Sequence, residues 1–205
     1  NIVTIEDPID STLIANVDSL PSIYMLIDEE IQISRTAIKG IMKFVEEGNH
    51  AFVSLDDFSN EFKYEFTFGK LLETYEEEVM SIALTHDSLK YITSYPLQKF
   101  KNDRATNHQW GYFDLDNLRR SKNDVAILGY ETYYEHPIFI KIPHGRGYFY
   151  LHSVPEMFMN ESMFNEKGLE YAQRSLSSLP KGNYKWHSHL NYWDKKYDIN
   201  NFPEE

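Results

Sequence analysis

Three stretches of this chain carry side chains whose type and spacing can do chemistry. Asp56 and Asp57 follow the apolar run His50-Ala51-Phe52-Val53-Ser54. A carboxylate pair just past the carboxyl end of a strand lies where open α/β sheets bind ligands. Such a pair can also hold Mg²⁺ or Ca²⁺ through oxygen. Aspartate caps helices equally well, and residues 56–60 read as a loop opening a short helix, so capping is the preferred reading. Gly145-Arg146-Gly147 can form a backbone nest for phosphate beside a positive side chain. Between two alternating strands, however, a plain hairpin turn is the better reading. His187-Ser188-His189 puts two imidazoles on one side of an extended chain, a spacing some zinc sites use. Further ligands would have to come from His144, His152, Asp194 or elsewhere, so a solvated loop is preferred and no metal or other cofactor is expected. The chain has no cysteine, which removes disulfides, thiolate metal sites and a cysteine nucleophile.

The elements that must position these residues follow from periodicity. Tyr24-Met25-Leu26-Ile27 reads as a buried strand. A helix is predicted over residues 34–47, with Ile38, Ile41 and Val45 at i, i+3 and i+7, stopped by Gly48-Asn49. His50 to Ser54 is the next strand, completing a βαβ unit with a right-handed crossover. Residues 79–84 read as a strand, and residues 90–100 as a partner with Pro96 marking an edge. Strands are expected over 125–130 and 138–142, the latter turning at 143–147 into a strand over 148–152. A last helix has Asn165 as N-cap, a stripe of Leu169, Ala172, Leu176 and Leu179, and Pro180 and Gly182 as stops. Glu76-Glu77-Glu78 reads as a solvated run, and the Tyr130 to Tyr134 cluster as core or interface.

Lys and Arg total 20 against 32 Asp and Glu, a formal charge of −12, and aromatics make up 15% of the 205 residues. That content is enough to bury a core, which excludes disorder. The acidity argues against nucleic acid or an anionic membrane surface as partner. No apolar run is long enough to span a membrane, and no secretory leader is visible at the start. Beginning at Asn1, the chain is expected to be a fragment of a longer one.

Three stretches carry a resemblance: residues 38–54 (IKGIMKFVEEGNHAFVS), residues 145–160 (GRGYFYLHSVPEMFMN), and residues 169–197 with their LSSLP and WDKKY signatures. Together they resemble an uncharacterised, domain-of-unknown-function family of membrane-anchored Bacteroidetes-type bacterial proteins. The family's fold is similar to the class I glutamine amidotransferase-like, flavodoxin-like three-layer α/β sandwich. The resemblance therefore implies a mostly parallel sheet with an antiparallel hairpin near the C-terminal end. It also implies transmembrane segments outside this fragment, in the bacterial inner membrane, with the soluble part periplasmic or otherwise extracytoplasmic. On that reading, residues 1–22 are an irregular lead-in and 23–182 a single domain, with 60–135 a possible insertion. Residues 183–205 form an aromatic tail leading towards an anchor.

The amidotransferase likeness also assigns roles. A strand ending in His-Pro-Glu supplies the base and its orienting carboxylate there, and His152 and Glu156 stand similarly with two residues inserted. The family's cysteine nucleophile is missing, and Ser54 is the substitute. No small residues flank Ser54 to form a nucleophile elbow. The main expectation is accordingly a non-catalytic, ligand- or protein-binding or scaffolding domain of a membrane-anchored protein. Asp56, Asp57, His152 and Ser153 would line the carboxyl edge of its sheet, supported by Arg146 and Asn160. The alternative is a hydrolase using Ser54 with His152, or a carboxylate-bound metal at Asp56 and Asp57. A third reading is an interaction module working through the aromatic tail.

Overall fold

The computed structural model describes residues 2–5, 21–28, 33, 35–66, 72–76, 80–85, 95–97, 100–101, 104–105, 108–114, 116–117 and 124–187. The strands are β1 (Ile2–Ile5), β2 (Ser22–Asp28), β3 (His50–Leu55), β4 (Leu72–Glu76), β5 (Met80–Leu84), β6 (Tyr95–Leu97), β7 (Phe100–Lys101) and β8 (Arg104–Ala105). They continue with β9 (His108–Tyr112), β10 (Ala126–Glu131), β11 (Pro137–His144), β12 (Gly147–His152) and β13 (Asn183–His187). The helices are α1 (Arg35–Glu46), α2 (Asn60–Phe66), α3 (Asn160–Met163) and α4 (Glu166–Ser177), with a 3₁₀ turn at Pro155–Phe158.

The main sheet runs β1-β13-β2-β3-β12-β11-β10-β5-β6. Every residue of β3 is buried, as a strand covered on both faces must be. Phe52 points to one face with Ile23, Met25 and Tyr150, under Phe158, Tyr171 and Ala172. Ala51, Val53 and Leu55 point to the other with Phe149 and Leu151, under Ile38, Ile41, Phe44 and Val45 of α1. Phe62 and Phe66 of α2 extend that second face, Phe66 standing edge-on to Phe149 at 4.7 Å. Burying such rings stabilises by about 1.5–3 kcal/mol each.

The parallel β2-α1-β3 unit is present as expected, with Tyr24 beside Ala51 and Leu26 beside Val53. The mostly parallel, flavodoxin-like or class I glutamine amidotransferase-like sheet is not. From β1 to β12 the four pairings are parallel, but β12-β11, β11-β10, β10-β5 and β5-β6 are antiparallel. The small sheets β4-β9 and β7-β8 are antiparallel too. Among the described residues six of the ten pairings are thus antiparallel, and the main sheet is mixed. For β12-β11 and β11-β10 the reason is connection length. Two residues join β11 to β12 and five join β10 to β11, far too few for the crossover that parallel neighbours need.

Both ends also differ from expectation. Ile2–Ile5 is a strand, not part of an irregular lead-in, and pairs in parallel with Asn183–His187, which is sheet rather than tail. Each is only four or five residues long and exists through pairing with a segment some 180 positions away, which local periodicity does not report. The residues of the aromatic tail beyond 187, with His189 and Asp194, lie outside the described residues.

In α4 the N-cap is as expected: Asn165 Oδ1 accepts from the Lys167 amide at 3.0 Å. The buried face is as expected in part: Ala172 and Leu179 are buried and Leu176 packs against the same core, but Leu169 does not join them. Within the helix the fully buried residues are Gly168, Tyr171, Ala172 and Ser175, while Leu169 is 38% exposed. Close approach decides this, because a Cβ on Gly168 would lie 2.1 Å from the Ser162 carbonyl. Only a small face lets α4 sit against α3 while Tyr171 reaches down to the sheet.

Candidate functional site

The parallel register of β3 and β12 sets His152 beside Ser54. Their side chains meet on the face covered by α4, with Ser54 Oγ 3.3 Å from His152 Nδ1. The Val154 amide donates to the same Nδ1 at 3.1 Å. An N–H can only donate, so Nδ1 is the acceptor and the proton sits on Nε2. Nε2 then donates to the Tyr171 hydroxyl at 2.7 Å. The rings of Phe139, Phe158 and Tyr171 surround the imidazole at 5.3, 4.9 and 5.8 Å. Ser54, His152 and Tyr171 are wholly buried. Burial pushes the His152 pKa from 6.5 down to about 3, so the ring is neutral. The arrangement is a serine with an imidazole acceptor, closed off from solvent on every side.

Tyr171 occupies the far ring nitrogen that the amidotransferase likeness would give to Glu156. Glu156 lies in the 3₁₀ turn after the strand, largely buried. Its place as orienter of His152 is therefore filled by a residue 19 positions away. Tyr171 lies outside the expected stripe, and burial places it on the inward face of α4 with Ala172 and Ser175.

Other expected site residues are brought together only in part. Ser153 is buried, its hydroxyl donating to the Gly111 carbonyl at 2.6 Å and its amide to the Ile138 carbonyl at 2.9 Å. It acts as a strut between strands and does not line an open edge. Asp56 and Asp57 sit in the bend after β3, and Asp57 pairs with Lys63 of α2 at 2.6 Å. An ion pair this exposed contributes about 0–1 kcal/mol. Asn160 opens α3 and is exposed. Arg146 lies at the opposite end of β12 from His152, about 20 Å away at ~3.3 Å per residue. Its amide donates to the Glu46 carbonyl at 3.1 Å, so the proposed nest is a hairpin turn closed against α1. Gly145 begins that turn with φ +58°, and a Cβ there would lie 2.6 Å from Glu46 Cα. Glycine is required twice over.

His187 stands on β13, edge-on to Tyr24 at 5.9 Å. His144 packs on Phe66 and Phe149 beside α2, the face opposite to His152. Among the described residues no three His, Asp or Glu side chains converge as a metal site would require.

A second polar cluster lies at the other end of β3 and β12, on the same face as His152. His50 begins β3 and stacks on Tyr148, ring centroids 5.9 Å apart and planes at 13°. Lys141 Nζ lies 3.9 Å from the centroid of the same Tyr148 ring and 5.5 Å from that of Tyr150. None of these four residues was singled out from sequence. The visible signal was Lys141, one cation in the otherwise apolar strand PIFIKIPH.

No protein-family model matches the chain, and no curated protein matches it in sequence. Several solved structures are similar in shape. A cytoplasmic protein from Salmonella typhimurium aligns with TM-score 0.50 at 8% identity, over 78% of this chain and 72% of its own. An exo-β-1,4-mannosidase from an Opitutaceae bacterium aligns with TM-score 0.49 at 13% identity, over 79% of this chain. The chain spans about a quarter of that enzyme's length, 26%. A β-galactosidase from Bacillus circulans aligns at 0.45 and 9% identity, over 77% of this chain and 22% of its own. At these identities the likeness to the Salmonella protein is one of fold alone. Among the described residues no helix is long and apolar enough to cross a membrane.

Proposed function

We propose that this chain is a ligand- or protein-binding α/β domain in which Ser54, His152 and Tyr171 act as an internal clamp. The observation that carries this reading is the complete burial of all three side chains. Both His152 ring nitrogens are engaged inside the protein. A hydrolytic serine needs a substrate carbonyl or acetal within reach and donors aimed at the developing charge, and a wholly buried hydroxyl meets neither need. A panel of activated esters, anilides and aryl glycosides tests it. The expected result is no turnover above the solvent rate, with Ser54→Ala and His152→Gln altering thermal stability only.

The 3.3 Å contact between Ser54 Oγ and His152 Nδ1 favours one second reading, a hydrolase that opens around this pair. It requires movement of the 3₁₀ turn or of α4 to admit substrate. Its signature is turnover that disappears in both Ser54→Ala and His152→Gln while their circular dichroism stays that of the parent. Observing that pattern replaces the binding reading.

A further inference from the structure

The cluster at the amino ends of β3 and β12 is built but incomplete. His50 is 8% exposed, and its Nδ1 is buried without a hydrogen-bond partner. Lys141 is half-buried, and among the described residues no carboxylate is paired with it. In a chain with 32 acidic residues against 20 basic ones, a sheltered cation that meets only rings stands out. Register explains the isolation: Lys141 lies between Ala126 on β10 and Tyr150 on β12, neither of which bears a negative charge. The Tyr148 face offers a cation–π contact worth about 0.5–2 kcal/mol. A ring face does not satisfy an ammonium with three donors. Tyr148 itself is 37% exposed, so a ligand reaches the cluster from the Tyr148 side, and His50 Nδ1, which is covered, has to be uncovered as the ligand binds.

We propose that Lys141, His50, Tyr148 and Tyr150 form a binding site for a ligand bearing a carboxylate. Lys141 provides the charge, His50 Nδ1 a directed hydrogen bond, and the tyrosine rings the walls that fix the ammonium. The charge count selects the anion. Burial and the charge of Lys141 both lower the His50 pKa, which leaves Lys141 as the one full cation. A single cation matches a carboxylate monoanion, whereas a phosphate dianion needs more. Burial, then the nearby Tyr148, pushes the Tyr150 hydroxyl up to about 12, so it remains a neutral donor. The site deepens the ligand-binding reading given above and rests on it, yet it fails separately. Loss of the site leaves the turnover assay on Ser54 and His152 as the judge of the domain.

Acetate is the probe, with acetamide as neutral isostere and inorganic phosphate as the other anion, all at matched ionic strength. Amide shifts of the isotope-labelled chain report binding. The expected result is saturable shifts at residues 50, 141, 148 and 150 with acetate, and none with acetamide. Lys141→Met weakens acetate binding at least tenfold, and His50→Phe weakens it several-fold, with each variant's amide spectrum unchanged away from the site. Three results overturn the proposal: no saturation below about 100 mM, far weaker than the ~1 mM of a modest specific site; equal acetate binding by folded Lys141→Met; or phosphate bound as tightly as acetate.

Discussion

The same two strands carry two polar clusters on one face, and they are finished differently. At the carboxyl ends of β3 and β12, Ser54, His152, the Val154 amide and the Tyr171 hydroxyl engage one another and exclude water. At the amino ends, His50, Tyr148, Tyr150 and Lys141 stack without completing each other. Buried polar groups are costly unless they are bonded. A completed network therefore serves the fold, while an incomplete one held near the surface is suited to a ligand. Catalytic residue types draw attention to the first cluster. Bonding points to the second.

The sharpest break in this comparison comes from the closed end. His152→Ala removes a wholly buried ring and strips Ser54, Val154 and Tyr171 of their common partner. A loss of about 3–5 kcal/mol in unfolding free energy is expected by urea titration, the range for excising a large core side chain. Tyr171→Phe keeps the volume and leaves Nε2–H without an acceptor, which costs about 1–3 kcal/mol. A cost near zero for Tyr171→Phe shows that the hydroxyl does not clamp the ring.

Acid reads the same cluster. The folded-state pKa of His152 is about 3, against 6.5 for a free imidazole. Between those values the unfolded chain takes up a proton that the folded chain refuses. This contribution is fully present above pH 6.5 and is lost as pH falls towards 3, at up to about 1.4 kcal/mol per pH unit. His152→Gln abolishes that component of the slope in paired urea titrations. At the open end the effect on stability is smallest. Lys141→Met changes unfolding free energy by less than about 1 kcal/mol, as substitutions outside a bonded network do. A larger loss means that the cation–π stack holds the fold.

Much of the scaffold was legible in the residues. The i, i+3, i+7 spacing of Ile38, Ile41 and Val45 located α1, Gly48 its stop, and the alternation through Gly145 the β11-β12 hairpin. Ser54 and His152 both stand out by residue type, and the register brings them together. Strand direction was less legible: β10 and β11 look like buried strands of either kind, and their short connections decide, while β5 pairs with β10 across more than forty residues of intervening chain. β1 and β13 are too brief to stand out and depend on each other. On α4, leucine spacing pointed to Leu169, whereas the steric demand at Gly168 turns Tyr171 inward instead. Tyr171 and Lys141 matter through partners on other elements, which no local pattern contains.

The most direct test of the closed cluster is the ring-nitrogen NMR spectrum of His152 followed with pH. The account predicts an unprotonated Nδ1 and a protonated Nε2 with shifts constant from pH 8 to pH 5. Titration with a midpoint near the 6.5 of a free imidazole would contradict it, because a ring that takes up protons at that pH is open to solvent and available for chemistry.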